Sequence, residues 1–201
     1  MGSVRQLTSG ACVAWPLPAD GSCAATARAL YRVAAAGVGI GTALAYDGIT
    51  MASELAANTL HANTLHAGAG GRSEFWLCLR GSRAFRELVC KVFDGCPGWP
   101  AGYAPSPSPL PVPPEATGGR GLQVVHELSG GRWGHHLTRA RLGRWKCPGK
   151  AVWFALPAPP DQDPWPAACD EEEATTQLHA LLSARGLGGQ LTSPSPREAA
   201  G

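Results

Sequence analysis

Hydrophobic positions in this chain recur at two different spacings, and the alternation between them lays out the elements. Ala25, Ala29, Leu30, Val33 and Ala36 approximate a helical stripe, with Asp20 or Ser22 placed to cap its start and Gly37 to end it. A second helical pattern begins after Gly41. Stepping about 100° per residue from Met51 brings Leu55, Asn58, Ala62 and Leu65 together, with Glu54 at the edge of that stripe. The period then shortens. Residues 74–80 (Glu-Phe-Trp-Leu-Cys-Leu-Arg) and 87–93 (Glu-Leu-Val-Cys-Lys-Val-Phe) read as two strands joined near Gly81-Ser82. Leu122, Val125, His126 and Leu128 restore a helical pattern that ends near Gly130-Gly131, and residues 132–136 and 150–156 read as two further strands. Asp170 and the three glutamates after it open a last helix, with Leu178, Leu181 and Leu182 on one face and Arg185-Gly186 at its end.

The intervening stretches divide the chain. Residues 1–14 form an N-terminal extension, and Trp15 to Pro18 are a short extended lead-in. The main body runs over residues 15–157, interrupted at 99–117 by a loop too rich in proline for a helix or a central strand. A linker over 158–169, an amphipathic helix over 170–186 and a disordered tail over 187–201 follow. At 201 residues the chain suits one domain of ordinary size, long enough to bury a sizeable core.

Charge and cysteine usage narrow the classes. A formal charge of +2, with no Lys/Arg run interleaved with aromatics, gives no basis for a nucleic-acid surface. The seven cysteines are odd in number and contain no C-x-x-C pair, so neither a disulfide framework nor a zinc ribbon is indicated and a reducing cytoplasm is the simplest home. No signal peptide is read at the start. The longest apolar run, residues 33–46, is far short of the roughly 20 residues that span a bilayer, so no membrane association is expected.

Candidate chemistry concentrates on the second helical pattern. Glu54 and Asn58 stand four apart on one helix face, a carboxylate beside an amide in apolar surroundings, and such a pair needs partners if it is buried. A tandem copy complicates the reading, because Asn58-Thr59-Leu60-His61-Ala62 is followed at once by Asn63-Thr64-Leu65-His66-Ala67. Five residues rotate a helix by about 500°, which leaves Asn63 roughly 140° from Asn58. Only Asn58 keeps the spacing to Glu54, and the second copy extends the helix or begins a loop. Asp94 ends a strand and opens the turn Asp94-Gly95-Cys96-Pro97-Gly98. Thr117-Gly118-Gly119-Arg120-Gly121-Leu122 precedes a helix, where backbone N–H groups can meet a phosphate at the positive end of the helix dipole. His135 and His136 are adjacent on a strand and face opposite ways, which argues against a shared metal with Cys147.

Taken in order, Glu-x-x-x-Asn on a helix, Asp-Gly-x-Pro-Gly after a strand, Gly-Gly-Arg-Gly-Leu opening a helix, and a final strand Gly-Lys-Ala-Val-Trp-Phe-Ala-Leu-Pro form a set. That set resembles the ATP-binding domain shared by gyrase, Hsp90, histidine kinases and MutL, and is most similar to stand-alone regulators of the anti-sigma-factor serine kinase type. The resemblance covers residues 15 to 157 or so. It implies an α+β fold of Bergerat type, a two-layer α/β sandwich with a mixed sheet and helices on one face. By resemblance, Asn58 would coordinate Mg²⁺ bridging the phosphates of ATP, and Glu54 would be the general base. Asp94 would bind the adenine amino group and Gly98 would let the chain pass close to the base. Gly119, Gly121 and Leu122 would cradle the phosphates, with Arg120 beside the γ-phosphate as a second catalytic group. Lys150 stands where the family often has a small hydroxyl residue. The implied function is an ATP-dependent serine/threonine protein kinase whose partners are a sigma factor or an anti-anti-sigma-like antagonist, with a homodimer allowed; the alternative is a non-catalytic, nucleotide-dependent binding module.

Overall fold

The computed structural model describes residues 11–65, 72–82, 85–95, 120–144, 146–159 and 171–193. Several expectations lie outside those residues: Gly98, Gly119, the proline-rich loop over 99–117, most of the 158–169 linker, His66-Ala67 of the second tandem copy, and the two extremes of the chain. In chain order the elements are β1 (Cys12–Pro16), α1 (Cys23–Gly37), α2 (Thr42–Leu65), β2 (Ser73–Ser82), β3 (Phe85–Asp94), α3 (Gly121–Leu128), β4 (Trp133–Arg139), β5 (Pro148–Pro157), α4 (Glu171–Ala184) and β6 (Gln190–Thr192). The fold is α+β, with one six-stranded sheet in the order β4-β5-β3-β2-β1-β6.

Every pairing in that sheet is antiparallel, which corrects the expectation of a mixed sheet. The physical reason is one of insertion. The crossover from β3 through α3 brings β4 back running in the same direction as β3, but one place further out. β5 then fills the gap between them and runs against both. The same-direction pair exists, therefore, without ever being hydrogen-bonded neighbours.

Two strands were not anticipated. β1 begins at Cys12, inside the stretch read as an extension, and pairs with β2 through Val13↔Leu77 and Trp15↔Phe75. β6 lies in the stretch read as disordered and pairs with β1 through Cys12↔Thr192. Both are short, and neither shows the period-2 pattern over enough residues to be legible. Pro16 lies past Ala14, where the pairing with β6 stops, and its nitrogen faces that open side, since the next N–H, of Leu17, donates to the Ser73 carbonyl on the β2 side; a strand tolerates a missing donor at such an edge.

Alternation along the strands separates two faces. Val13, Trp15, Phe75, Leu77, Leu79, Leu88, Cys90, Val92, Phe154 and Leu156 meet the helices in one core, together with Leu30, Tyr31, Met51, Leu55 and Val125. The C-terminal helix belongs to this core. Leu178 and Leu182 are fully buried, each contributing about 1.5–3 kcal/mol of burial free energy, and the Leu181 side chain lies against Gly37 at the end of α1.

On the other face Trp76, Val89, Phe93, Ala151 and Ala155 are covered in part by Ala140 and Leu142 of the β4–β5 connection. A buried carboxylate ties that connection down. Glu74, with no exposed surface, accepts hydrogen bonds from Trp76 Nε1 at 2.9 Å, from the Arg141 N–H at 2.7 Å and from the Leu142 N–H at 3.1 Å. Arg72 Nε lies 2.8 Å from the same carboxylate and supplies the counter-charge. The Arg141 guanidinium then sits over the Trp76 ring, 5.2 Å from its centroid.

Candidate functional site

The α2 helix starts at Thr42 and carries the first tandem copy and the second as far as Leu65, so the duplication lengthens the helix. Its buried side is set by Met51, Ala52, Leu55, Ala56 and Thr59, whose mean direction lies about 70° round from Met51. Asn58 falls roughly 90° from that centre and is exposed, while Glu54 is half-buried. The sequence stripe had placed Asn58 among the apolar residues; the packing instead turns it to the flank. Thr59 keeps its buried hydroxyl satisfied by donating to the Leu55 carbonyl at 3.0 Å. Ser53, next to Glu54, accepts a hydrogen bond from Arg28 Nη1 at 2.8 Å, which ties this part of α2 to α1.

The start of α3 is pressed onto the same patch. A Cβ placed on Gly121 would stand 2.8 Å from Glu54 Oε2 and 3.0 Å from Asn58 Nδ2, so with a larger residue here the ends of these two side chains would have to shift. Residue 121 is thereby brought to residues 54 and 58, which lie more than sixty positions earlier in the chain. Arg120 is exposed in the N-cap position of α3, and its carbonyl accepts the first helical hydrogen bond, from the Val124 N–H at 3.0 Å. Leu122 is buried in the helix-side core, so what it offers a ligand is its backbone N–H. N–H groups in the first turn of a helix have no partner within the helix, and they carry the positive end of its dipole.

Asp94 lies at the end of β3 on the helix-facing side, continuing the register of Leu88, Cys90 and Val92. Its cross-strand partner on β5 is Lys150, and Lys150 Nζ donates to Asp94 Oδ2 at 2.7 Å. Both side chains are nearly buried, 7% exposed for the lysine and 5% for the aspartate. Gly149 enforces the approach: a Cβ there would come within 2.2 Å of the Asp94 carbonyl oxygen and 2.6 Å of the Phe93 ring. On the far side Gly95 donates its N–H to the Arg72 carbonyl at 3.0 Å, so the turn after Asp94 is anchored to the start of β2.

α2 packs on both β3 and β5, which puts the Glu54–Asn58–Gly121 group and the Asp94–Lys150 pair in the same helix-facing layer. Chemically the layer offers a carboxylate and an amide beside a helix N-terminus, and a charged acceptor–donor pair at the end of the sheet. The Lys150 ion pair was not foreseen, because opposition of residues 94 and 150 depends on β5 inserting beside β3, and no local pattern announces that insertion. The role of Glu74 had a faint signal, an acid at a strand position whose next neighbours on the same face are Trp76 and Cys78.

His135 and His136 alternate along β4, and among the described residues no three His, Cys, Asp or Glu side chains gather as a metal group. Burial holds His135 below its ordinary value, which favours the neutral imidazole. Among the described residues no helix is long and apolar enough to cross a membrane. No family model matches the chain, and no curated protein matches it either.

Proposed function

We propose that this chain is an ATP-binding regulatory protein of Bergerat type, acting as an anti-sigma-factor-type serine/threonine kinase that transfers the ATP γ-phosphate to a protein hydroxyl. The observation that carries the reading is the meeting of Glu54, Asn58 and Gly121 at one point, across two helices far apart in sequence. Phosphoryl transfer asks a protein chiefly for positioning and charge neutralisation, and these residues are of the right kind to provide both.

In this reading the N–H groups at the start of α3 receive the phosphates, and Arg120, exposed beside them, adds a cationic group at the γ-phosphate. Glu54, at the same junction, accepts the proton of the attacking hydroxyl. Asn58 fits Mg²⁺, because that ion is commonly held by one or two protein oxygens together with substrate phosphates, and an amide oxygen is a suitable hard ligand. When bound, the ion neutralises charge on the phosphates. Asp94 takes the amino group of the base. The protein partner is a sigma factor or an anti-anti-sigma-like antagonist in the cytoplasm.

A second reading, a non-catalytic module whose partner senses nucleotide occupancy, is favoured by one feature. Glu54 Oε2 is packed so closely against the first residue of α3 that the carboxylate faces protein backbone as much as an incoming hydroxyl. The two readings separate on labelled phosphate transfer to a candidate antagonist protein, expected for wild type and lost in Glu54→Ala. Binding of Mg-ATP is the test common to both. It should be lost in Asn58→Ala and kept in Asn63→Ala; the reverse pattern would overturn the choice of register, and no binding by wild type would overturn the nucleotide reading itself.

A further inference from the structure

Two of the cysteines stand opposite each other in the sheet. The β1–β2 register, Val13↔Leu77 and Ala14↔Trp76, carried one place further sets Cys12 against Cys78. Both belong to the face away from the helices, and both are thiols. The kind of pair they form follows from the hydrogen bonds. One place beyond Pro16↔Glu74 in the same register, the Leu17 N–H donates to the Ser73 carbonyl at 2.9 Å, so 17 and 73 are a hydrogen-bonded pair. Pairs alternate along an antiparallel ladder, which makes 15–75 and 13–77 hydrogen-bonded and leaves 16–74, 14–76 and 12–78 in the other set. Pro16, with no N–H to give, falls in that other set, as it must. In a non-hydrogen-bonded pair the Cα atoms stand about 4.5 Å apart and the side chains come closest, which lies within the span of about 4.4–6.8 Å that a disulfide bridges.

We propose that Cys12 and Cys78 are a redox-modification site, closing a reversible cross-strand disulfide when the protein meets a low-molecular-weight disulfide such as oxidised glutathione. Cys78, 9% exposed against 2% for Cys12, is the entry point. Its thiolate attacks one sulfur of the small disulfide, whose S–S bond breaks and releases one small thiol. The Cys12 thiolate then attacks the Cys78 sulfur of the mixed disulfide, the Sγ–Sγ bond forms, and the second small thiol leaves. The two cysteines lose two electrons, the small disulfide gains them, and the two thiol protons end on the released thiols. Cys12 Sγ lies 3.2 Å from Thr192 Oγ1 on the β6 side, so the second step requires a turn about its χ1 toward β2. Position in the sheet provides the access. Cys12 opens β1 and is flanked outward by the three-residue β6, so local opening at this end of the sheet exposes the pair to a reagent. Burial pushes the Cys12 thiol up, while the Arg141 charge and the Thr192 hydroxyl act against that shift. Closure is therefore slow at neutral pH and quickens as pH rises.

The experiment incubates the full chain with oxidised glutathione in native buffer, blocks remaining thiols by alkylation, and maps linked peptides by mass spectrometry before and after dithiothreitol. Cys12 and Cys78 should be found joined, and the link should open again on reduction. The loop so closed contains α1 and α2, and a disulfide of this kind should raise the melting temperature by about 4–16 °C over the reduced protein. Cys12→Ala should stop at the mixed disulfide on Cys78, and Cys78→Ala should leave Cys12 unlinked. Where either variant does not fold, the wild-type map decides alone. Full alkylation of both thiols after oxidant, a link from either one to Cys23, Cys90, Cys96, Cys147 or Cys169 instead, a link that forms only in denaturing urea, or a link that lowers the melting temperature each overturns the assignment. No nucleotide enters the experiment, so its result stands apart from the nucleotide reading.

Discussion

Gly121→Ala separates the site from the fold. The added Cβ would meet Glu54 Oε2 at 2.8 Å and Asn58 Nδ2 at 3.0 Å, both closer than a carbon accepts. If the surroundings held rigid, overpacking of this kind would cost about 1–3 kcal/mol. The atoms concerned are the far ends of flexible side chains, however, and alanine is favoured over glycine in a helix by about 0.8–1 kcal/mol. The two terms oppose each other, so the net change in stability should stay within about 2 kcal/mol. The effect on the site is of a different order, because Glu54 and Asn58 must turn away to make room. Losing even one charge-assisted contact to the phosphates or the metal would weaken Mg-ATP about 10- to 100-fold. Urea unfolding, with midpoint and slope compared with wild type, gives the first quantity, and a Mg-ATP titration gives the second. A variant stabilised by about 1 kcal/mol that binds Mg-ATP like wild type would refute the claim that Gly121 is where the two helices define a ligand site.

Three further outcomes test the packing. Glu74→Ala should destabilise by about 3 kcal/mol or more, since it strands the indole N–H of Trp76 and the N–H groups of Arg141 and Leu142; Glu74→Gln, which keeps an acceptor oxygen, should cost about half as much, both read from urea midpoints. Tyr31→Phe should be neutral or stabilising by up to about 1 kcal/mol, because the buried Tyr31 hydroxyl has no hydrogen-bond partner among the described residues; a loss above about 1 kcal/mol in the same assay would show that the hydroxyl has one. Alkaline pH should destabilise the protein. Burial pushes the Cys90 thiol well above its ordinary 9.0 and the Tyr31 phenol well above its ordinary 10.0. In the folded state these groups keep their protons where the unfolded chain has released them, so stability is fully present below about pH 9 and falls as pH rises toward the folded values. Cys90→Ala should make that fall shallower, and a stability flat from pH 8 to 11 would contradict it.

Much of the order of elements was legible locally. The presence of α1 and its stop at Gly37, the paired strands on either side of Gly81-Ser82, and the short helix after Arg120 follow from periods and stop signals that act over a few residues, but the expected stripe of α1 does not hold: Ala25, Ala29 and Ala36 are exposed, and Ala27, Tyr31, Ala34 and Ala35 are buried with Leu30, because a run of alanines has little apolar contrast to say which side the core claims. The tandem copy behaves as helix through Leu65 for the same reason: its five residues contain nothing that breaks a helix. The β1–β6 end of the sheet was illegible. β1 is held by β2 on one side, β6 is held by β1 alone, and a three-residue strand has too little pattern of its own to be recognised before that pairing exists.

The sequence by itself determined that Glu54 and Asn58 share one face of a helix, because a spacing of four does that in any α-helix. It also put a glycine at the opening of a second helix and an aspartate at the end of a strand. Only the tertiary structure decided that Gly121 presses on the first pair and that Lys150 faces the aspartate, since these contacts rest on helix packing and on the insertion of β5 beside β3. Periodicity is a property of neighbours in the chain, whereas a charge partner fifty-six residues away is chosen by the topology of the sheet. The direction in which Asn58 points was decided in the same way, by which side of α2 the core claimed.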